Sequence, residues 1–172
     1  MILPAVPLVI RRYRNELPDR NPTEIEPGVV VGGVPSRARW KRLRDSGVDY
    51  ALRVCLENPP DPWMSHAEAL IWIPTPDRLA PTIDQMRVAA AFIDHARARG
   101  GGVMMYCGSG IGRAPTTYLA WPLQRSGEAI GDALGALRRA RPCVSPTEAQ
   151  LHALSQWVRE TAVASPLDRT QL

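Results

Sequence analysis

Apolar positions along the chain fall into two patterns, short unbroken runs and longer stretches at three-and-four spacing. Val29 to Val31, bounded by Pro27-Gly28 and Gly32-Gly33, predicts a buried strand closed by a tight turn. Ala51 to Leu56, apolar except for Arg53, Leu70 to Ile73 before Pro74, and Val103 to Tyr106 read as three more core strands. Between them the period changes. A helix is expected from about Arg37 to Asp45, and a second where Ile83, Met86, Ala90, Ile93 and Ala96 recur at helical spacing, with Pro81 in its first turn and Gly100-Gly101-Gly102 ending it. Three further helices are predicted from Arg113 to about Gln124, Glu128 to Ala140 and Thr147 to Thr161. The last is introduced by Ser145-Pro146-Thr147-Glu148, read as a capping box with proline in the first turn.

Strands alternating with helices predict an α/β fold, a single domain with a central, mostly parallel sheet of about four to five strands and helices on both faces. The boundaries follow the pattern: an N-terminal extension over 1–24, the domain over 25–162 and a frayed tail over 163–172. A chain of 172 residues with 45% apolar content suits one core and is short for two. The apolar stretch Ile2 to Ile10 is broken by Pro4 and Pro7 and is too short for a membrane span or a signal peptide; the expectation is extended packing on the domain, with interfacial anchoring through Arg11, Arg12 and Arg14 as the alternative. Three cysteines without metal-ligand spacing argue for free thiols in a reducing, cytoplasmic setting. A net charge of +4, carried by arginines apart from Lys41, favours anionic ligands without indicating nucleic acid.

The chemistry concentrates after the Val103 strand. Cys107-Gly108-Ser109-Gly110-Ile111-Gly112-Arg113 puts a thiol at the base of a glycine-rich loop and a guanidinium six positions later, where a helix begins. Backbone N–H groups of such a loop converge, the helix N-terminus adds positive potential, and an arginine can grip two oxygens, so the segment suits a phosphate dianion. The same surroundings can lower a cysteine pKa from about 8.5 to about 3.5–7.5, which makes a nucleophilic thiolate.

These residues resemble the cysteine-dependent protein tyrosine and dual-specificity phosphatases, whose signature is Cys, five residues, Arg. The likeness runs over about residues 25 to 160 and includes Ile25 to Gly33 as the opening strand, Ile73-Pro74-Thr75-Pro76-Asp77 as the acid loop and Gln150 to Trp157 in the final helix. Gly112-Arg113-Ala114-Pro115 is also similar to the plant glucan phosphatases. The resemblance implies phosphomonoester hydrolysis through a phosphocysteine, with Cys107 as nucleophile, Gly108, Ser109, Gly110, Ile111, Gly112 and Arg113 as phosphate loop, and Asp77 as general acid. Asp61 and Asp84 are weaker candidates for the acid. No metal or other cofactor is expected, and the partner is a phosphorylated protein or another anionic phosphomonoester.

Cys55 is placed like the resolving cysteine of tensin-type members, which makes it a possible redox partner of Cys107; a buried structural cysteine is the other reading. Two positions depart from the family: Tyr106 stands where histidine is usual, and Ala114 where serine or threonine usually assists thiolate departure, with Thr116 or Thr117 as substitutes. These departures keep open a catalytically weak phosphate- or phosphopeptide-binding module. Phosphoinositides and phosphoglucans are further substrate classes. Trp63 and Trp72 are candidate pocket walls, and Arg78, Arg138, Arg139 and Arg141 candidate attractants for polyanions.

Overall fold

A proline-glycine pair divides the expected opening strand into a hairpin. In the computed structural model, which describes residues 21–57 and 60–163, β1 (Thr23–Glu26) runs antiparallel to β2 (Val29–Gly33). Gly28 takes the turn at φ +75°, and its N–H donates to Glu24 Oε1 at 2.9 Å. After α1 (Arg37–Asp45), β3 (Val48–Arg53), a 3₁₀ turn (Pro62–His66) and β4 (Ala69–Trp72), the chain continues through α2 (Ile83–Ala98), β5 (Gly102–Cys107), α3 (Arg113–Ser126), α4 (Ile130–Ala140) and α5 (Glu148–Val163).

The five strands lie in the order β1-β2-β5-β3-β4, parallel except for β1. β5 is central and wholly buried, as its unbroken apolar run requires. Its side chains alternate between two cores. Val103, Met105 and Cys107 face the larger one, built with α2, α3, α4 and α5, while Met104 and Tyr106 join Trp40 of α1 and Met64 of the 3₁₀ turn on the other face. The α/β sandwich with helices on both faces is therefore present, one side much thicker than the other.

Several boundaries differ from expectation for identifiable reasons. The strand expected over Ala51 to Leu56 is instead β3, because pairing with β5 begins at Val48 and pairing with β4 at Tyr50, and after Arg53 the chain leaves the ladder through buried Val54 and Cys55 to an exposed Leu56. Pro81 lies outside its helix: Thr82 is the N-cap, in a capping box with Gln85. The same holds for α5, where the reciprocal bonds join Thr147 and Gln150, not Ser145 and Glu148. In both helices a glutamine at the third position satisfies the cap, and the proline lies just before it. α4 starts at Ile130 rather than Glu128. The expectations for Ile2 to Ile10 and for the tail fall outside the described residues. Among the described residues no helix is long and apolar enough to cross a membrane.

Candidate active site

Parallel strands end together, and register fixes what meets at that edge. Gly33 pairs with Cys107, Arg53 with Tyr106 and with Trp72, so the connections after β3, β4 and β5 leave the sheet side by side. Ligands of open α/β sheets bind in this position. The connection after β5 is Cys107 to Gly112, with Arg113 opening α3.

The loop turns its carbonyls outward. Arg141, buried just beyond α4, donates from Nε to the Gly110 carbonyl at 2.9 Å and from Nη2 to that of Ser109 at 3.2 Å; its Nη1 reaches the Asn21 carbonyl and Thr23 Oγ1, each at 2.9 Å. The Ile111 carbonyl accepts from Ser145 N–H at 2.9 Å. The Gly110 N–H donates inward to Cys107 Sγ at 3.3 Å. Gly110 has φ +69°, and a Cβ there would lie 2.3 Å from the carbonyl carbon of Gly32, so the loop rests directly on β2. The result is a concave nest of amides around a buried thiol.

Arg113 spans this nest and the other two loops. Its Nη1 donates to both Glu57 oxygens, at 2.9 and 2.6 Å, and to the Thr75 carbonyl at 2.9 Å; its Nη2 is 3.0 Å from Asp77 Oδ1. A Cβ on Gly108 would lie 3.5 Å from Nη2, so the guanidinium lies low over the loop. Burial works against the arginine's charge, but the Glu57 hydrogen bond and the surrounding negative groups prevail and raise its pKa. Burial likewise opposes ionisation of Glu57, and the Arg113 hydrogen bond, a backbone hydrogen bond and the Arg113 and Arg53 charges together outweigh it, holding that carboxyl below its ordinary range.

The structure thus brings Cys107, Gly108 to Gly112, Arg113 and Asp77 together. Asp84 is in the first turn of α2, bonded to Arg87, and Asp61 precedes the 3₁₀ turn. Cys55 is buried and free, as is Cys107; burial, despite Arg53, pushes its thiol pKa up. Thr117 donates to the Arg113 carbonyl at 2.8 Å, an ordinary helix back-bond, and the buried Thr116 hydroxyl has no hydrogen-bond partner. Tyr106 packs on the face opposite Cys107 beneath the Arg53 guanidinium, 5.5 Å from its ring centroid, and burial pushes its phenol up to about 12. Trp72 stands partly exposed at the rim with Nε1 donating to the Cys55 carbonyl at 2.7 Å, whereas Trp63 lines a groove beside α1. Arg141, a candidate attractant for polyanions by sequence, is instead the fastener of the loop, and Arg138 donates to the Val144 carbonyl.

Glu57 is absent from the residues the sequence pointed to, and Thr75, Arg141 and Gln150 take parts that it did not indicate: a carbonyl acceptor for Arg113, the fastener of the loop and a helix cap. Glu57 meets Arg113 across 56 residues, from a connection whose only local signal is proline richness.

A largely parallel α/β sheet whose central strand ends in a cysteine, followed by a glycine-rich loop and a helix-opening arginine, defines the class of α/β folds built around a cysteine-to-arginine loop. Residues 32–160 match the family model for the dual specificity phosphatase catalytic domain. The chain belongs to that family. It is 28% identical over 149 residues to human dual specificity protein phosphatase 6, covering 86% of this chain and 39% of that protein. It is 26% identical over 141 residues to dual specificity protein phosphatase 1 of Arabidopsis thaliana, covering 80% and 68%. The chain therefore spans about two fifths of the human relative's length. Among solved structures, PTPMT1 in complex with PI(5)P superposes with a TM-score of 0.78 at 21% identity, covering 85% of this chain and 99% of that one.

Proposed function

We propose that this chain hydrolyses phosphomonoesters through a phosphocysteine on Cys107, with phosphorylated proteins as the substrate class. The observation that carries the reading is the meeting of Arg113 and Asp77 over the Cys107 nest, with Nη2 at 3.0 Å from Oδ1. Nη1 is committed to Glu57 and Thr75 and serves as the anchored edge of the guanidinium. Nη2 is the working edge. An incoming phosphate takes Nη2 and the loop amides, and Asp77 moves from the arginine to the ester oxygen.

In the first step Cys107 Sγ forms a bond to phosphorus as the ester P–O bond breaks, and protonated Asp77 gives its proton to the departing oxygen. In the second, the Asp77 carboxylate takes a proton from water, whose oxygen attacks phosphocysteine and expels the thiolate, releasing inorganic phosphate. Fixed amides and Arg113 stabilise the equatorial oxygens in both steps. Cys55 takes no part in this cycle.

The test is hydrolysis of p-nitrophenyl phosphate in the presence of a chelator. Cys107→Ser abolishes turnover. Asp77→Ala slows esters with poor leaving groups by about 10²- to 10⁴-fold and p-nitrophenyl phosphate less. Phosphate binding without turnover in the wild-type chain selects a binding module and overturns the enzymatic reading. Phosphopeptides and phosphoinositides assayed side by side decide the substrate; no residue between Cys107 and Arg113 carries a positive charge for a polyphosphorylated headgroup, which favours the peptide.

A further inference from the structure

The start of α5 reaches across to the acid loop. Thr147 Oγ1 donates to the Arg78 carbonyl at 2.9 Å, and Gln150 Nε2 to the Leu79 carbonyl at 2.9 Å. Those carbonyls belong to the two residues that follow Asp77. Arg78 has φ +64°, the left-handed region that a side-chain-bearing residue occupies at a cost, and so the turn needs an external hold. Gln150 is 1% exposed. Its Oε1 accepts from Thr147 N–H at 2.9 Å, and a Cβ on Gly112 would lie 2.7 Å from that oxygen. One side chain therefore caps a helix, holds the acid loop and abuts the end of the phosphate loop. Ser145 N–H, two residues before the cap, bonds the Ile111 carbonyl and fixes the same helix start to the phosphate loop.

We infer that Thr147 and Gln150 form a latch that fastens the acid loop to the phosphate loop, making both positioning residues for Asp77. The left-handed turn at Arg78 directs Asp77 toward Arg113, and the two bonds on the far side of that turn keep it there before substrate arrives. The chemistry of Cys107 does not pass through the latch, so its loss affects proton delivery far more than thiol attack. The inference rests on Asp77 being the acid.

The experiment compares p-nitrophenyl phosphate with phenyl phosphate, whose leaving group is poorer, across Gln150→Met, Thr147→Val, Thr147→Ser, Asp77→Ala and the Gln150→Met/Asp77→Ala double variant. The latch predicts about 10-fold loss on phenyl phosphate for Gln150→Met and Thr147→Val and a smaller loss on p-nitrophenyl phosphate. Thr147→Ser keeps the hydroxyl and restores the rate. The double variant is no slower than Asp77→Ala. Alkylation of Cys107 by iodoacetate proceeds at the wild-type rate in the single latch variants, which also reports a folded phosphate loop. Equal losses on both esters, or additive losses in the double variant, overturn the latch while leaving the acid assignment intact. Should Asp77→Ala show no leaving-group dependence, the acid assignment itself fails, a distinct result.

Discussion

Removing the Glu57 carboxylate tests whether it holds Arg113 in place or competes with phosphate for it. The two groups meet unequally: the arginine side chain is 7% exposed and the carboxylate 49% exposed. A hydrogen bond to a charged group is worth about 1.5–3 kcal/mol, and an exposed ion pair about 0–1 kcal/mol. Half-exposure places this pair between the two, at about 1–2 kcal/mol. If all of that orients the guanidinium, Glu57→Ala lowers kcat/KM by about 5- to 30-fold, at about 1.4 kcal/mol per tenfold. Glu57→Gln, which keeps an acceptor and loses the charge, falls between. In the proposed cycle Arg113 grips the phosphate before and during reaction, so the loss is expected in KM and in weaker inhibition by inorganic phosphate more than in kcat. Steady-state kinetics with p-nitrophenyl phosphate and phosphate as competitive inhibitor measure both. Tighter phosphate inhibition in Glu57→Ala would show that the carboxylate competes for the arginine, and a change of less than about twofold would show that Thr75 and the helix suffice to hold it.

Three further outcomes follow from the same geometry. Gly110→Ala drives a Cβ into the Gly32 backbone at a residue with φ +69°, and is expected to destabilise the chain by about 3 kcal/mol, a fall of roughly 6–12 °C in Tm by thermal unfolding. Arg141→Lys keeps the charge but cannot bond the Gly110 and Ser109 carbonyls and the Asn21–Thr23 segment together; it lowers stability by about 2 kcal/mol and slows alkylation of Cys107, read by chemical denaturation and by iodoacetate kinetics. Glu57 also gives stability a pH signature. Its folded-state pKa is depressed, so its contribution is fully present above its unfolded value of about 4.3 and disappears as pH falls through the lower folded value. Urea midpoints of wild type and Glu57→Ala should therefore differ by a constant amount at neutral pH and converge in acid; a gap that persists at the acid end would refute that ion-pair origin.

The loop was legible because its signal is local. The last residue of a strand, three glycines and an arginine at a helix start are contiguous in Cys107 to Arg113, and the physics by which such a segment suits an anion depends on nothing distant. Asp77 was legible through family likeness and its prolines. Glu57 was not, since it joins the site only because β3 pairs with β5 in one register and delivers the connection after Arg53 beside Arg113. Arg141 was misread for a related reason: sequence shows a cation at the end of an arginine-rich helix, and only the packing of β1 near that helix buries it. The hairpin at Pro27-Gly28 was hidden because Thr23–Glu26 has polar and apolar residues mixed at an edge, where half-burial leaves little constraint. Thr147 and Gln150 were readable as a capping box in principle, but Ser145-Pro146 supplied a competing cap, and tertiary contact with Arg78 and Leu79 decided between them.

The central claim is that Cys107 carries the phosphoryl group between substrate and water. Rapid acid quench during turnover of a phosphomonoester, followed by peptide mass analysis, examines it directly. The expected result is a phosphate held on Cys107 in the wild-type chain, more abundant in Asp77→Ala as hydrolysis of the intermediate slows, and absent in Cys107→Ser. Sustained turnover with no phosphate on that sulfur, or with the label on another side chain, would contradict it.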